Sequence, residues 1–278
     1  MAGERKPPAG RGRRAPADRA RRPAASTSWD ALATWYDGWV GEGGSEYHRD
    51  VAVPAVLALL EPRFGERILD VGSGQGVLAP FVARAGAQYT GVDASPRLVK
   101  LAQQHHAGQG RFLVGDARKL RAIPGLQEAS FDAVTFLLSL QDMDPLEEAV
   151  AHAAWALRPG GRVVLLLTHP AFRVPRQSGW GWDEGRKLIY RRVDRYLTPM
   201  AVPMKAYPGR EVRATTKSFH RPLQDYVNTL ASDHLLVDRL DEIPAHKLKG
   251  AGPSPKAEAM ARHEIPLFLG LRARKITP

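Results

Sequence analysis

The chain has 278 residues, of which 44% are hydrophobic and 25% are charged, and it carries a net charge of +11 at pH 7 with no cysteine. The lack of cysteine excludes disulfides, zinc–thiolate and iron–sulfur sites, and any reaction that needs a cysteine nucleophile. No run approaches the roughly 20 apolar residues of a membrane span, and no apolar secretory segment follows the basic start. We therefore expect a globular cytoplasmic protein with one α/β domain and an appendage.

The first 26 residues are a basic tail. Residues 1–25 hold eight arginines and lysines against two acids, so more than half of the net charge lies there. The tail is rich in Pro, Gly, Ala and Arg and has no periodic apolar positions, which predicts disorder. A nucleic-acid-binding arm, an Arg-rich targeting segment and an extension that only aids solubility all remain open.

Residues 27–62 are predicted to form a helical segment ahead of the main domain. A loop with Gly41, Gly43 and Gly44 separates an apolar helix over residues 51–60 from a first helix. Five apolar residues recur at helical spacing in that first helix: Trp29, Leu32, Trp35, Tyr36 and Trp39. From Arg67 onward, strands and helices alternate, which indicates a parallel sheet covered by helices on both faces.

The first predicted strand, residues 68–71, runs into glycines at positions 72, 74 and 76. Glycines permit a sharp turn and let a ligand lie against bare backbone at a helix N-terminus. A dinucleotide fingerprint needs Gly or Ala at position 77, which is Val77. The GxGxG turn therefore favours a nucleoside without a pyrophosphate over a nicotinamide dinucleotide, although an ordinary tight turn has the same pattern.

Acids follow the next two predicted strands. Residues 88–92 precede Asp93, and residues 111–114 precede Gly115 and Asp116. Ligands of such sheets bind outside the carboxyl ends of the strands, where a carboxylate can accept hydrogen bonds from ribose hydroxyls or from an adenine amino group. Ser95 is predicted to cap the following helix, with Pro96 at its first position.

The remaining elements continue the alternation and then interrupt it. Strand four is predicted over residues 131–138, and a helix to residue 158 begins with Asp144, Pro145 and Glu147 as N-cap, N1 and N3. Strand five spans residues 162–168 and is followed by a loop over residues 170–186. Strands over residues 187–205 and 210–220 are predicted around a Pro208-Gly209 turn. A helix over residues 222–231 follows, and then a sixth strand over residues 235–240 and a seventh over residues 265–274.

Five motifs within residues 67–168 resemble class I S-adenosylmethionine-dependent methyltransferases of the small-molecule (type 11) group. They read ILDVGSGQG, GVDASPRLVKLA, FLVGDARKL, FDAVTFLLSLQDM and ALRPGGRVVLLL. The resemblance implies a Rossmann-like, doubly wound, seven-stranded α/β sheet whose seventh strand is antiparallel. It also implies that residues 27–62 form a lid, that residues 63–278 form the core, and that S-adenosyl-L-methionine is the cofactor.

The same resemblance assigns cofactor-binding roles. The three glycines would line the methionine part, Asp70 and Ser73 its amino acid end, Asp93 the ribose, and Asp116 with Ala117 the adenine. Leu138 would contribute backbone, and Tyr36 would cover the site from the lid. The full predicted set is Tyr36, Asp70, Gly72, Ser73, Gly74, Gly76, Asp93, Ala94, Asp116, Ala117 and Leu138. No metal site is predicted.

The implied reaction is an in-line displacement at a sulfonium methyl group. Positioning of the reactants can supply about 7–11 kcal/mol of the barrier reduction. A base is needed only if the nucleophile loses a proton, and it would then add roughly 10²–10⁴-fold. His169, directly after strand five, and His220 are the predicted catalytic residues.

The expected acceptor is a small organic molecule methylated at oxygen, nitrogen or carbon. Residues 170–222 would cover it, and its predicted contacts are Trp35, His48, Trp180, Trp182, Tyr190 and Tyr196. An RNA or protein methyltransferase that uses the basic tail is an alternative, but strand four is followed by Ser139-Leu140-Gln141-Asp142 and not by an Asn/Asp-Pro-Pro-aromatic motif. A non-catalytic cofactor-binding protein is the second alternative, and the oligomeric state stays open.

Overall fold

The computed structural model describes residues 29–41, 43–205, 215–247 and 251–277. The predicted disordered tail lies outside these residues. The described chain begins with a 3₁₀ turn, Asp30–Leu32, that leads into α1, Ala33–Val40. A π-helical turn, His48–Ala52, then continues into α2, Val53–Leu60. No helix in the described ranges is long and apolar enough to cross a membrane.

Seven of the eleven described strands form one sheet. The strands in chain order are β1 Arg67–Val71, β2 Gln88–Asp93, β3 Arg111–Val114, β4 Phe131–Leu137, β5 Leu157–Thr168, β6 Ser178–Asp183, β7 Leu188–Val193, β8 Met200–Lys205, β9 Thr215–His220, β10 Leu235–Pro244 and β11 Pro266–Lys275. The sheet order is β10-β11-β5-β4-β1-β2-β3, and β11 runs antiparallel to both of its neighbours. The predicted seven-stranded sheet with an antiparallel seventh strand is confirmed.

Helices cover both faces of this sheet, and each face has its own apolar core. The remaining helices are α3 Ala79–Arg84, α4 Pro96–His105, α5 Leu146–Ala156, α6 Leu223–Ser232 and α7 Pro255–Glu264. Phe136 and Leu165 are buried against α5 and α6, whereas Ile68 and Leu166 are buried against α2 and α3. Each such side chain contributes about 1.5–3 kcal/mol of burial energy, so the strand ends are fixed relative to one another.

The N-terminal caps of two helices were predicted from local sequence, and one of the two predictions is correct. Ser95 caps α4 as predicted, because its Oγ accepts a hydrogen bond from the Leu98 amide at 3.2 Å. The prediction that Asp144 caps α5 is wrong: Pro145 is the N-cap residue and makes no side-chain cap. The Asp144 carboxylate instead pairs with Arg221 at 2.9 Å.

Two hairpins follow β5 before the sheet resumes. Strand β6 pairs with β7 and β8 pairs with β9, both antiparallel. The predicted loop over residues 170–186 is therefore partly a strand, in which Gly181 leaves room for the Tyr190 ring of the opposite strand. The predicted Pro208-Gly209 turn lies outside the described residues. The β6–β7 hairpin packs against α7.

Candidate functional site

The glycine turn after β1 keeps its backbone bare. Gly72, Gly74 and Gly76 have φ angles of +71°, +55° and +82°, a region that disfavours other residues. The amides of Gly72 and Ser73 both donate to the Val92 carbonyl, which ties the turn to the end of β2. A Cβ at Gly72 would lie 2.5 Å from the Ser139 Cβ, so no side chain fits there.

Two adjoining cavities open over this turn. A smaller cavity of about 170 Å³ lies at the ends of β2 and β3, and a larger one of about 390 Å³ lies between β4, β5 and the N-terminal residues. Four residues line both cavities: Trp29, Gly72, Asp93 and Asp142. The two cavities therefore share one boundary, which runs across the glycine turn.

Asp93 stands at that boundary with acceptor capacity to spare. Its Oδ2 accepts the Gly74 amide at 2.9 Å and its Oδ1 accepts the Ser95 amide at 2.8 Å. Each carboxylate oxygen can accept a second hydrogen bond. Burial raises the pKa of Asp93, and the two backbone donors oppose that rise. This donor-poor, acceptor-rich position fits the hydroxyls of a ribose.

The smaller cavity is also lined by Ala94, Asp116 and Ala117, as predicted for an adenine pocket. Asp116 has a partner that sequence reasoning missed: Arg118 holds it with Nη2–Oδ2 and Nε–Oδ1 distances of 2.7 and 2.9 Å. Burial raises the pKa of Asp116, but the hydrogen bonds from Arg118 outweigh it and leave the pKa below its ordinary value. Asp116 thus stays ionised at the cavity wall.

Residues 29–41 and 43–48, here termed the N-terminal wall, close the larger cavity on one side. Tyr36 and His48 both line it, as does Leu138 from the end of β4, where the backbone adopts φ +54°. Burial, with Asp93 nearby, raises the pKa of Tyr36, so its hydroxyl stays protonated. Burial lowers the pKa of His48 to about 4, so its ring is neutral at pH 7. Its Nδ1 lies 2.8 Å from the Ser45 Oγ.

Asp30 fastens this wall to the helix that follows Asp93. Its Oδ1 accepts hydrogen bonds from the Ser95 hydroxyl at 2.8 Å and from the Arg97 amide at 3.1 Å. The hydrogen bond from Ser95 lowers the pKa of Asp30, and that from the Arg97 amide lowers it further. Trp29, the neighbour of Asp30, is thereby held where both cavities meet.

Three predicted cofactor contacts line neither cavity. Asp70 is buried, with Oδ2 accepting from the Tyr89 hydroxyl at 2.7 Å and Oδ1 from Thr135 at 2.8 Å. Burial raises its pKa to about 6. A Cβ at Gly76 would meet the Phe112 ring at 2.7 Å. The third, Ser73, is likewise absent from both cavity walls. We therefore assign these residues to the support of the turn.

The ring of His169 is held by hydrogen bonds within the fold. Its Nδ1 accepts the amides of Ala171 and Phe172 at 3.2 and 3.3 Å, so the ring proton lies on Nε2, 2.9 Å from Glu242. Burial lowers the pKa of His169, and Glu242 partly restores it. The ring is buried at the turn after β5 and lines neither cavity.

The ring of His220 is also held by a hydrogen bond within the fold. Its Nε2 lies 2.6 Å from the Tyr196 carbonyl, which only a protonated Nε2 can satisfy. Burial lowers the pKa of His220. Like His169, it lines neither cavity, and so the structure brings neither predicted catalytic histidine to the site.

Of the six predicted acceptor contacts, only His48 lines the larger cavity. Trp35 stacks on Trp39 at 6.0 Å, and Tyr196 accepts the Leu223 amide through its hydroxyl. The other three lie in the β6–β7 hairpin: Trp180, Trp182 and Tyr190. Trp180 is contacted by the guanidinium groups of two arginines, Arg173 and Arg191, each 4.9 Å from the ring centroid. The hairpin packs against α7, away from the cavities, because its apolar residues find their partners there.

Several cavity residues were missed by sequence reasoning. They include Trp29, Trp39, Gln141, Asp142 and Met204. Asp142 has the most unusual environment, since its Oδ1 is buried and accepts no hydrogen bond from the described residues. Burial raises its pKa to about 7, against the opposing effects of the Ser218 hydroxyl, the Trp29 indole and Arg221. Its place after β4 was the available signal.

The fold also brings together three possible metal ligands that are far apart in sequence. Ligand atoms of Glu46, Asp50 and His246 lie within 4.8 Å of one another at the surface. The Lys247 ammonium contacts the Glu46 carboxylate, which already gives that carboxylate a cationic partner.

Comparison with known proteins agrees with this geometry. The family described as "Methyltransferase domain" matches residues 69–165. A ubiquinone biosynthesis O-methyltransferase from Xanthomonas axonopodis pv. citri is 37% identical over 115 residues, which cover 41% of this chain and 48% of that protein. A demethylmenaquinone methyltransferase from Tropheryma whipplei is 34% identical over 117 residues, or 42% of this chain and 48% of that protein. The chain thus spans about half the length of these curated relatives.

Solved structures extend the similarity over most of the chain. An S-adenosylmethionine-dependent methyltransferase from Mesorhizobium loti aligns with a TM-score of 0.61 and 26% identity over 80% of this chain and 96% of that one. A second structure, from Listeria monocytogenes, has a TM-score of 0.61 and 19% identity over 84% of this chain and 98% of that one, which shows the fold alone. With the glycine turn, the strand order and the match of residues 69–165 to a methyltransferase domain, the chain is similar to the class I S-adenosylmethionine-dependent methyltransferases.

Proposed function

We propose that this protein transfers the methyl group of S-adenosyl-L-methionine to a small organic acceptor. The observation that carries the proposal is the pair of adjoining cavities that meet at Gly72 and Asp93. The smaller cavity has acidic residues suited to an adenosine, and the larger one is mostly apolar. A molecule with a nucleoside at one end and a reactive group at the other would span the boundary between them.

The cofactor fits the residues present. Ser139 leaves no room for a Cβ at Gly72. The backbone of Gly74 is bare beneath the Tyr36 ring, whose nearest atom lies 3.7 Å from where a Cβ of residue 74 would be. We assign Asp93 to the ribose and Asp116 with Ala94 and Ala117 to the adenine. Gly72, Gly74, Tyr36 and Leu138 would then hold the methionine end. When bound, S-adenosylmethionine supplies a methyl group activated by its sulfonium charge.

The larger cavity indicates the class of acceptor. Its walls are mainly aromatic and aliphatic, and they include Trp39, Leu137, Met204, Leu267 and Phe268. A volume of about 390 Å³ suits a small apolar or aromatic molecule. The curated relatives are named as a ubiquinone biosynthesis O-methyltransferase and a demethylmenaquinone methyltransferase, which supports a small-molecule acceptor over an RNA or protein target.

The arrangement of the chain follows from this assignment. Residues 27–62 would act as the lid, since the N-terminal wall closes the larger cavity. Within residues 170–222, the cover would come from β8 through Met204, and the β6–β7 hairpin would not take part. We place the reaction in the cytoplasm, with the small molecule as the protein's partner.

Calorimetric titration with S-adenosylmethionine, S-adenosylhomocysteine and NAD tests the proposal. We expect the first two to bind and NAD not to bind. Asp93→Ala should weaken both interactions by about 10- to 100-fold, because a charged acceptor of ribose hydrogen bonds is lost. Asp241→Ala, at an acid that lines neither cavity, serves as the control. Binding of NAD alone, or an Asp93→Ala variant with unchanged affinity, would contradict the assignment.

Methyl transfer itself is measured with S-adenosylmethionine labelled in its methyl group. A panel of small phenols, catechols and quinols should include a substrate, and the label should appear in the small molecule. Label that appears in added RNA or protein, and in none of the small molecules, would favour the alternative that uses the basic tail.

A further inference from the structure

Asp142 occupies the boundary between the two cavities. It ends the 3₁₀ turn Leu140–Asp142 that follows β4, and it is one of only four residues in the described chain that line both cavities. Of these four, Asp93 and Asp142 are the acids. Asp93 already accepts two backbone amides, whereas Asp142 retains a buried Oδ1 with no hydrogen-bond donor among the described residues.

The groups around Asp142 come from four directions. Trp29 of the N-terminal wall and Ser218 of β9 contact its carboxylate, and Arg221, just beyond β9, adds a positive charge nearby. Burial raises the pKa of Tyr36 of α1 and of Tyr226 of α6, and the negative charge of Asp142 raises both further, so both hydroxyls stay protonated. Asp93 of β2 is the remaining acid at the boundary.

None of the described cations forms an ion pair with Asp142. Arg221 directs its Nη2 to the Met143 carbonyl at 2.7 Å and to the Asp144 carboxylate at 2.9 Å. Arg118, which also lines the smaller cavity, is bound to Asp116. The carboxylate of Asp142 is therefore placed in a buried wall without a dedicated counter-charge.

A molecule that spans the two cavities brings its central atom to this boundary. In S-adenosylmethionine the central atom is a sulfonium, which carries a positive charge, whereas in S-adenosylhomocysteine it is an uncharged thioether. On the basis of the proposed function, we propose that Asp142 is the counter-charge for the sulfonium: it is ionised when S-adenosylmethionine is bound, and it keeps the protonation of the ligand-free protein when the thioether is bound. Asp142 thereby distinguishes cofactor from product by charge.

The buried position supports this role. Burial raises the pKa of Asp142 to about 7, so its carboxyl is close to half protonated at neutral pH. A cation nearby favours the ionised form, whereas an uncharged sulfur does not. Binding of S-adenosylmethionine at pH 7 should consequently release about half a proton per protein molecule, whereas binding of S-adenosylhomocysteine should release none.

Isothermal titration calorimetry of the full chain at pH 7 tests this. Each probe is titrated in phosphate and in Tris, and the difference in heat gives the number of protons released. In the unmodified protein we expect about 0.5 more protons released with S-adenosylmethionine than with S-adenosylhomocysteine. In Asp142→Asn that difference should vanish, and the S-adenosylmethionine affinity should fall about tenfold while the S-adenosylhomocysteine affinity changes less than about twofold.

Asp37→Asn, on the N-terminal wall but lining neither cavity, is the matched control and should keep the proton difference. Equal losses of both affinities in Asp142→Asn would indicate a structural role and overturn the inference. So would the same proton release for both probes in the unmodified protein, a measurement that does not depend on the variant. Failure of both probes to bind would instead overturn the proposed function and this inference with it.

Discussion

Replacement of Asp142 by asparagine should stabilise the ligand-free protein, and more so in alkaline solution. The folded protein raises the pKa of this carboxyl from 3.8 to about 7, chiefly by burial. Between those two pH values the folded chain holds a proton that the unfolded chain has lost. Stability from this group is therefore fully present below pH 3.8 and is lost as the pH rises through 7.

The size of the effect follows from the shift. Each tenfold change in proton affinity corresponds to 1.36 kcal/mol, so the full rise corresponds to about 4 kcal/mol at pH 8.5. At pH 5.5 only about half of this cost, about 2 kcal/mol, has developed. Asparagine has nearly the same shape and no charge. The variant should consequently gain about 4 kcal/mol at pH 8.5 and about 2 kcal/mol at pH 5.5.

Urea denaturation at the two pH values, followed by intrinsic tryptophan fluorescence and by circular dichroism, measures the gain. Asp70 and Asp93 also have raised pKa values, but they are present in both proteins and their contribution cancels in the difference. Asp37→Asn is the control and should change stability by less than about 0.5 kcal/mol at either pH. An Asp142→Asn variant that is less stable at both pH values, or whose gain does not grow with pH, would refute the reasoning.

Three further outcomes are expected. Gly72→Ala should destabilise the protein by about 2–4 kcal/mol in urea denaturation, because a left-handed backbone and a close contact both oppose a Cβ, whereas Gly43→Ala, with nothing within 4 Å, should change little. His169→Ala should lower the free energy of unfolding by about 1–3 kcal/mol, because the amides of Ala171 and Phe172 lose their hydrogen-bond acceptor. Calorimetry should show unchanged S-adenosylmethionine affinity, and a large loss of affinity would indicate that His169 does contribute to the site. Tyr89→Phe should destabilise more at pH 8 than at pH 5, since its hydroxyl favours the ionised form of Asp70, and equal losses at both pH values would contradict that coupling.

The elements that could be predicted from the sequence are those whose signals are local. The buried runs of β1 to β5 stand between glycines, caps and acids, so their ends were predicted within a few residues, apart from the early start of β5. Ser95 with Pro96 is such a signal, and so is the position of Asp93 at the end of β2. Asp93 and Ser95 both line the smaller cavity, so its position could be predicted from these local signals.

The remainder depends on contacts between distant segments. Asp144 has the sequence of an N-cap, but Arg221, 77 residues further on, takes its carboxylate. Asp142 is buried by groups that include Ser218 and Trp29, neither of which is near it in sequence. Likewise, packing decides whether a tryptophan faces the cavity or a neighbouring helix. Trp180, which the sequence predicted as an acceptor contact, packs with residues of α7 and lines neither cavity.

The attachment of Asp30 to the first turn of α4 links the timing of ligand exchange to that helix. We expect detachment of the wall to speed the departure of a ligand bound beneath Trp29, and detachment also exposes the Ser95 hydroxyl and the Arg97 amide, which Asp30 covers. We expect ligand residence time and amide hydrogen exchange at Arg97 to change together. Slow exchange at that single amide would then indicate that the N-terminal wall is attached to α4.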